Sequence, residues 1–305
     1  MKKRILLLCR RDDRPDYDQK DTYKAAFEQL DTQCIYTYGE LEELVFVYDG
    51  NSLKVYLDGV DIREYDGLFL IGWFKSKILE DLALSAAKYM DFYGKPVANE
   101  EALYTRSRSK LSQYVVAALN GISLTPFLFC KDTSLFQENF SKYWAGEFPV
   151  VLKGVQASRG NDNYLVDSID EVFETIQLTD DLDGPWFVAQ GFVPNDGDYR
   201  IIVMGDKVEL VIHRQSRSDS HLNNTSKGGI ATQLQVTDLP DDIQAQCVSL
   251  ARLLRREITG VDMIRHSQTG EFYLLEINNM PQMATGSLVS VKLAELDMYL
   301  AKKLQ

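Results

Sequence analysis

The sequence predicts a chain of mixed α/β and α+β architecture, on three observations. Through residues 1–99 short apolar runs alternate with helical segments, as in a sheet wound between helices. Beyond residue 104 strands and helices are mixed without that alternation. The length of 305 residues with 45% apolar side chains is enough to fill the cores of about two domains.

Taken in order, Ile5 to Cys9 is an apolar strand, Asp18 to Leu30 a polar helix and Cys34 to Tyr38 a second strand. Val45 to Leu57 carries Asp49-Gly-Asn-Ser52 between two alternating runs and reads as a hairpin. Asp66 to Trp73 is a buried strand, Lys77 to Tyr93 an amphipathic helix and Lys95 to Asn99 a short edge strand. Ligands of such doubly wound sheets sit outside the carboxyl ends of the strands, here Arg10, Arg11 and Trp73-Phe-Lys75. No GxGxxG follows the first strand, so a dinucleotide site is not indicated there. A helix from Lys110 to Asn120 closes on Gly121, and a boundary near residue 104 separates residues 1–104 from 105–305. Strands are expected at 150–153, 164–166, 186–190, 199–204 and 207–213, with helices at 169–177 and 241–257.

Composition bounds the function. A net charge of −12 argues against general affinity for nucleic acid or an anionic membrane surface, so any anion must meet local basic clusters. No apolar run approaches the ~20 residues that span a bilayer. The segment Met1 to Cys9 is too short for a signal peptide and runs straight into charged residues. Cys9, Cys34, Cys130 and Cys247 are scattered, which indicates neither a zinc site nor a disulfide framework; reduced thiols and a cytoplasmic location are expected. His213, His221 and His266 have no carboxylate at ligand spacing and read as structural or exposed.

The chemistry concentrates near the carboxyl end. Val261 to Arg265 and Glu271 to Asn278 are β-like runs joined by His266-Ser-Gln-Thr-Gly270, so they pair most simply as an antiparallel hairpin. Side chains alternate faces along a strand, so Glu276 and Asn278 share one. If 265 or 266 pairs with 271 or 272 in an even-sum register, Asp262 joins them, while Val261, Met263, Leu275 and Ile277 point into a core. Like charges side by side on a sheet repel. Two carboxylates and an amide oxygen are hard donors suited to Mg²⁺, which takes its remaining ligands from water and phosphate. A solvated sheet face whose acids never meet is the alternative.

Phe148-Pro-Val-Val-Leu-Lys153 ends a strand in lysine before a loop bounded by Gly154 and Gly160, a geometry open to a phosphate clamp with Ser158 or to an ordinary hairpin. Arg200 and Arg214 flank the strand pair that turns at Met204-Gly-Asp-Lys207, either as phosphate-binding groups or as surface arginines.

These pieces are collinear: Ser109-Lys110, Phe148 to Lys153, Ala157-Ser-Arg-Gly160, Gln190-Gly-Phe-Val193, Asp198-Tyr-Arg200, Arg214, Asn224, Lys227-Gly-Gly229, Gly260-Val-Asp262 and Glu276-Ile-Asn278-Asn-Met-Pro281. In that order, over residues 95–290, the chain resembles the ATP-grasp superfamily, in its ribosomal-protein-S6 glutamate ligase and glutathione-synthetase-like branch. The resemblance implies two α+β subdomains clamping ATP, with a lid at about 125–190, preceded by a Rossmann-like pre-ATP-grasp domain. Lys110 and Lys153 would contact phosphates together with Ser158 and Gly160, and Gln190, Gly191, Phe192 and Val193 would meet the adenine edge. Asp198 would reach the ribose. Asp262, Glu276 and Asn278 would hold one or two Mg²⁺, or Mn²⁺ in its place. Arg200 and Arg214 would face the γ-phosphoryl group, with Asn224 nearby.

The implied activity is a carboxylate–amine ligase acting through an acyl phosphate on small-molecule or peptide substrates. A hydroxyl kinase on the same fold and an ATP-binding regulator without turnover are the alternatives. Homo-oligomers are frequent in the family. Arg10 and Arg11 are expected to form a carboxylate-binding patch. The chain departs from the family in a loop 154–160 with few glycines, and in Asn279-Met-Pro-Gln-Met283, where a small residue, Pro and Gly are common.

Overall fold

The structure, a computed structural model, describes residues 1–11, 18–72, 76–104, 109–130, 133–144, 146–155, 163–180, 187–215, 230–279 and 281–304, excepting the side chains of 133–135 and 178–180. The first segment runs β1 (Arg4–Cys9), α1 (Gln19–Phe27), β2 (Ile35–Glu40), β3 (Val45–Tyr48), β4 (Leu53–Leu57), β5 (Val60–Asp61), β6 (Gly67–Leu70), α2 (Lys77–Phe92) and β7 (Val97–Ala98). A parallel sheet forms in the order β2-β1-β6-β7, with β3, β4 and β5 as a separate antiparallel sheet. Ile5 to Cys9 are all buried because β1 is central and covered on both faces. Leu6 and Leu8 pack toward Ala83 and Ala87 of α2 and Val55 and Leu57 of β4. Asp18 and Ser76 cap α1 and α2 by accepting from the backbone N–H groups of Asp21 and Leu79.

The opposite face holds Ile5, Leu7 and Cys9, and α1 covers only part of it. Leu293, Leu296 and Leu300 of a helix far along the chain, α7 (Val289–Lys303), complete that core. Asp297 of α7 accepts hydrogen bonds from the N–H groups of Gln33 (2.5 Å) and Cys34 (3.2 Å) and from the Tyr36 hydroxyl (2.7 Å). The sheet of residues 1–104 is therefore not closed by its own residues.

After α3 (Lys110–Leu119), β8 (Phe127–Phe129), α4 (Thr133–Tyr143), β9 (Val150–Gly154), β10 (Asn163–Val166), α5 (Ile169–Asp180) and β11 (Phe187–Gly191) build an antiparallel sheet in the order β10-β9-β11-β8. Its core joins Phe136 and Phe140 to Val150, Leu152, Val172 and Phe187. A further sheet contains β12 (Asp198–Met204), β13 (Lys207–Gln215), β14 (Ile230–Leu234), β15 (Ile258–Arg265) and β16 (Phe272–Asn278), in the order β14-β13-β12-β15-β16. Between β14 and β15 lies α6 (Asp241–Leu253). One face of this sheet carries Ile201, Val203, Val211, Val261, Met263 and Ile277, packed with Leu250 of α6 and Ala117 of α3. The other packs Ile202, Met204, Leu210, Ile212 and Ile258 into the core shared with α7 and β1.

The helix expected at 241–257 ends at Leu253, because Arg255 takes a left-handed conformation (φ 54°) that reverses the chain before β15. Arg256 is thereby turned inward onto buried Glu101, its Nε 3.1 Å from Oε2. The strand β8, the helix α4, the strand β14 and the helix α7 have no counterpart among the elements expected from sequence.

Candidate active site

The hairpin of β15 and β16 pairs Gly260 with Asn278 and Asp262 with Glu276. Nearer its turn the pairs are Met263 with Leu274 and Arg265 with Phe272, an odd-sum register. The even register expected from the turn outward is thus absent there, and a β-bulge at Leu275 supplies it where the acids lie. The core position expected for Leu275 is taken by Leu274, buried with Val261, Met263 and Ile277. The extra residue rotates Glu276 and Asn278 onto the face of Asp262.

On that face β12 and β13 contribute the arginines. Register places Arg200 opposite Asp262 and Asp198 opposite Arg214. Arg200 forks onto Asp262, with Nε to Oδ1 at 2.9 Å and Nη2 to Oδ2 at 2.7 Å. Arg214 donates from Nη2 to Asp262 Oδ2 at 3.1 Å and from Nε to Asp198 Oδ1 at 2.6 Å. Asn278 Nδ2 bridges Asp262 Oδ2 (3.2 Å) and Glu276 Oε1 (3.0 Å), and Lys110 Nζ lies 3.8 Å from Glu276 Oε2. Burial works against the Asp262 carboxylate, yet Arg200 and Arg214 outweigh it and hold its pKa below the ordinary value. Asp198 moves the other way: burial pushes it up to about 6, Arg214 offsetting only part of that.

Lys153 lies on β9, in the sheet of β8 to β11. Ser109 caps α3 and sets Lys110 at its first position, from which Nζ donates to the carbonyl of Gly154 at 3.5 Å. The neighbouring Lys153 donates to Gln190 Oε1 at 2.5 Å. Burial pulls the Lys153 ammonium down to about 8, with Glu276 opposing and Lys110 adding to the fall. A buried cation resting on a neutral carboxamide is an anion site in the making.

Several expectations are revised. The Gln190 side chain serves Lys153, and the N–H groups of Gly191 and Phe192 donate to the carbonyls of Pro126 and Pro149, both at 3.1 Å. An adenine edge would have to meet the remaining backbone groups of that segment. Asp198 is buried against Arg214, which gives its carboxylate a different partner from the expected ribose. Of the pair Arg10 and Arg11, expected to bind a carboxylate, Arg11 already holds one of the chain's own: its Nε sits 2.6 Å from Glu40 Oε2, and its backbone N–H reaches Glu42. Ser158, Gly160, Asn224, Lys227-Gly-Gly229 and Trp73-Phe-Lys75 lie outside the described residues.

Sequence reasoning missed Gln113, Tyr114, Gln282 and Lys292. Gln282 holds a left-handed backbone (φ 53°) in the loop that departs from the family pattern, and its Oε1 accepts from Arg200 Nη1 at 3.4 Å. Buried Lys292 fixes that loop by donating to the carbonyls of Gln282 (2.6 Å) and Thr285 (2.7 Å). The departure of Asn279-Met-Pro-Gln-Met283 from the family pattern was the legible signal for Gln282; Lys292 gave none.

The donor set fits a hard divalent cation. Two carboxylates face each other across neighbouring strands, and Asn278 needs only an amide rotation to present oxygen. Among the described residues no three His, Cys, Asp or Glu side chains converge, so a cation would use this two-carboxylate and amide set.

A family model for the RimK-like ATP-grasp domain matches residues 107–298. The chain belongs to the RimK-like ATP-grasp family. A Maridesulfovibrio salexigens protein named probable alpha-L-glutamate ligase is 27% identical over 198 residues, 65% of this chain and 64% of that protein. A Legionella pneumophila protein of the same name is 27% identical over 222 residues, 71% of this chain and 70% of that protein. The chain thus spans about two thirds of the length of the curated relatives it matches. Among solved structures, the ATP-grasp ligase PsnB complexed with minimal precursor, Mg and ADP aligns with a TM-score of 0.70 at 15% identity, covering 99% of this chain and 97% of that one. Lys153 lies on the β8–β11 sheet, and Asp262, Glu276 and Asn278 lie on the β12–β16 sheet.

Proposed function

We propose that the chain is an ATP-dependent carboxylate–amine ligase that forms an amide through an acyl phosphate. One observation carries this reading. A single sheet face gathers Arg200, Arg214, Asp262, Glu276 and Asn278, while Lys110 joins Glu276 to the strand that bears Lys153. Lys153 and Lys110 would bind the phosphates, and Asp262, Glu276 and Asn278 would hold Mg²⁺, or Mn²⁺ in its place. When bound, the metal neutralises phosphate charge. Arg200 and Arg214, oriented by Asp262 and Asp198, face the transferred phosphoryl group. Phosphoryl transfer to a carboxylate needs placement and charge compensation more than a protein nucleophile, and this site supplies both. The amine then attacks the acyl carbon and phosphate leaves.

The relatives' name points to glutamate as one substrate, and the precursor peptide PsnA2 complexed with PsnB to a peptide as the other. We take residues 1–104 as the pre-ATP-grasp α/β domain, 105–305 as the ATP-grasp domain and about 125–190 as its lid. All four cysteines are free and among the described residues no helix is long and apolar enough to cross a membrane; both fit our placement of the ligase in the cytoplasm.

The test is incubation with Mg-ATP and pools of amino acids and peptides, reading ADP, phosphate and product mass together. ADP and phosphate release that requires both a carboxylate and an amine, with a product one water lighter than its parts, is the expected outcome. A phosphate retained on a hydroxyl would establish a kinase, and nucleotide binding without turnover a regulator.

Lys153 gives the site a pH dependence. Its pKa in the folded protein lies near 8, against an ordinary 10.5. Affinity for metal-free ADP is expected to hold below pH 7 and to fall as pH rises through about 8. Lys153→Met should bind ADP weakly and lose that dependence. Calorimetric titration between pH 6 and pH 9 checks both; a wild-type profile without a fall refutes the assignment. The linked stability has the opposite slope: the unfolded chain keeps the proton between about 8 and 10.5, so stability from this group rises with pH in that window.

A further inference from the structure

We infer that Tyr114 is a positioning residue whose hydroxyl ties the phosphate-binding lysine to the strand of metal ligands, setting both halves of the nucleotide clamp from one point. The inference rests on the reading of the site as a nucleotide and metal clamp.

Tyr114 lies one helical turn after Lys110 on α3 and is fully buried, among Val155 and Val188 of the lid side and Leu124 and Phe127. Its hydroxyl is 2.7 Å from the carbonyl oxygen of Leu275 and 3.3 Å from Gln190 Oε1. Each acceptor belongs to a different half of the site. Leu275 is the bulge residue that brings Glu276 and Asn278 onto the face of Asp262. Gln190 Oε1 is the atom on which Lys153 rests.

Since β16 is the outer strand of its sheet, its backbone groups facing away from β15 have no strand partner. Four such groups are satisfied from elsewhere. The N–H of Leu274 donates to the carbonyl of Ser123 at 2.9 Å, and the N–H of Ile277 to Gln113 Oε1 at 3.0 Å. The carbonyl of Ile277 accepts from Arg256 Nη1 at 2.9 Å, and that of Leu275 accepts from Tyr114. Of these four partners, Tyr114 also reaches Gln190 of the lid-side sheet. A buried bulge carbonyl left without a donor would favour the unbulged register, which would turn Glu276 away from Asp262.

A phenol has one proton, and here it faces two acceptors. Burial first, then the nearby charge of Glu276, keeps the pKa of Tyr114 raised, so it stays a donor throughout the working range. An anion that draws Lys153 away from Gln190 changes what Oε1 asks of that proton. The change is felt at Leu275, one residue from Glu276.

The experiment is calorimetric binding of ADP to wild type and Tyr114→Phe, with EDTA and with Mg²⁺, well below the melting temperature. Loss of one buried hydrogen bond predicts that the variant stays folded, binds metal-free ADP several-fold more weakly, and loses about tenfold of the affinity gained on adding Mg²⁺. A role confined to packing would lower the melting temperature and leave both affinities of the folded protein unchanged, which overturns the inference. A loss in only one of the two arms overturns it as well, because the hydroxyl would then serve one half alone. Should Tyr114→Phe fail to fold, hydrogen exchange on the wild type decides: metal-free ADP is expected to slow the amides of 272–278, and unchanged exchange there refutes the tie. Wild type that binds no ADP under either condition removes the clamp reading and the inference with it.

Discussion

Glu276→Gln is expected to lower turnover at least ~100-fold, by analogy with removal of one electrostatic stabiliser, while leaving the fold intact. Its side chain is 32% exposed and pairs only loosely with Lys110 at 3.8 Å, so an isosteric amide disturbs little packing. The substitution removes one of the two carboxylate charges that would hold the metal. ADP release at increasing Mg²⁺ is the measurement, and excess Mg²⁺ should recover part of the loss. Unaltered ATP turnover would sink the metal assignment.

Asp262→Ala should fail more broadly. Asp262 is 3% exposed and receives both arginines, whose side chains are themselves 12% and 5% exposed. Deleting one partner of a buried ion pair costs about 3–5 kcal/mol, because the charges left behind stay desolvated. Urea denaturation at neutral pH is expected to show that loss, together with turnover at least as low as in Glu276→Gln. Neutral pH matters because the depressed Asp262 pKa contributes stability that is fully present above its ordinary 3.8 and is lost as pH falls through the lower folded value. A variant as stable as wild type would mean that the arginines find other anions. The two substitutions together separate a carboxylate that serves chemistry from one that also holds the sheet together.

Much of this site was legible because strands alternate. Glu276 and Asn278 two apart, and Arg200 and Arg214 on either side of a short turn, fall on predictable faces once the strands are recognised. The register that joins Asp262 to them was not legible, since Leu275 looks like any other apolar strand residue and its carbonyl takes its donor from α3, far away in sequence. The partner of Arg11 was hidden for the same reason of distance: Glu40 lies 29 residues further along and meets Arg11 only in the fold. Leu293, Leu296 and Leu300 carry a helical period, but nothing local says that they cover a sheet made from the first residues of the chain. Tyr114 reads as a core tyrosine until its hydroxyl is followed to both acceptors.

The helix α7 has a consequence for how the chain is made. Asp297 accepts from the backbone N–H of Cys34, just before β2, across 263 residues, and Leu293, Leu296 and Leu300 close the layer over β1. Contacts of such sequence separation come late, because the intervening loop must be closed before they repay it. During synthesis the parallel sheet, complete at Ala98, therefore leaves the ribosome with one face partly bare, and that face waits for α7, which ends at Lys303. The apolar face of Ile5, Leu7 and Cys9 is therefore the part of the growing chain that waits longest for its cover, and the part most open to aggregation before α7 docks.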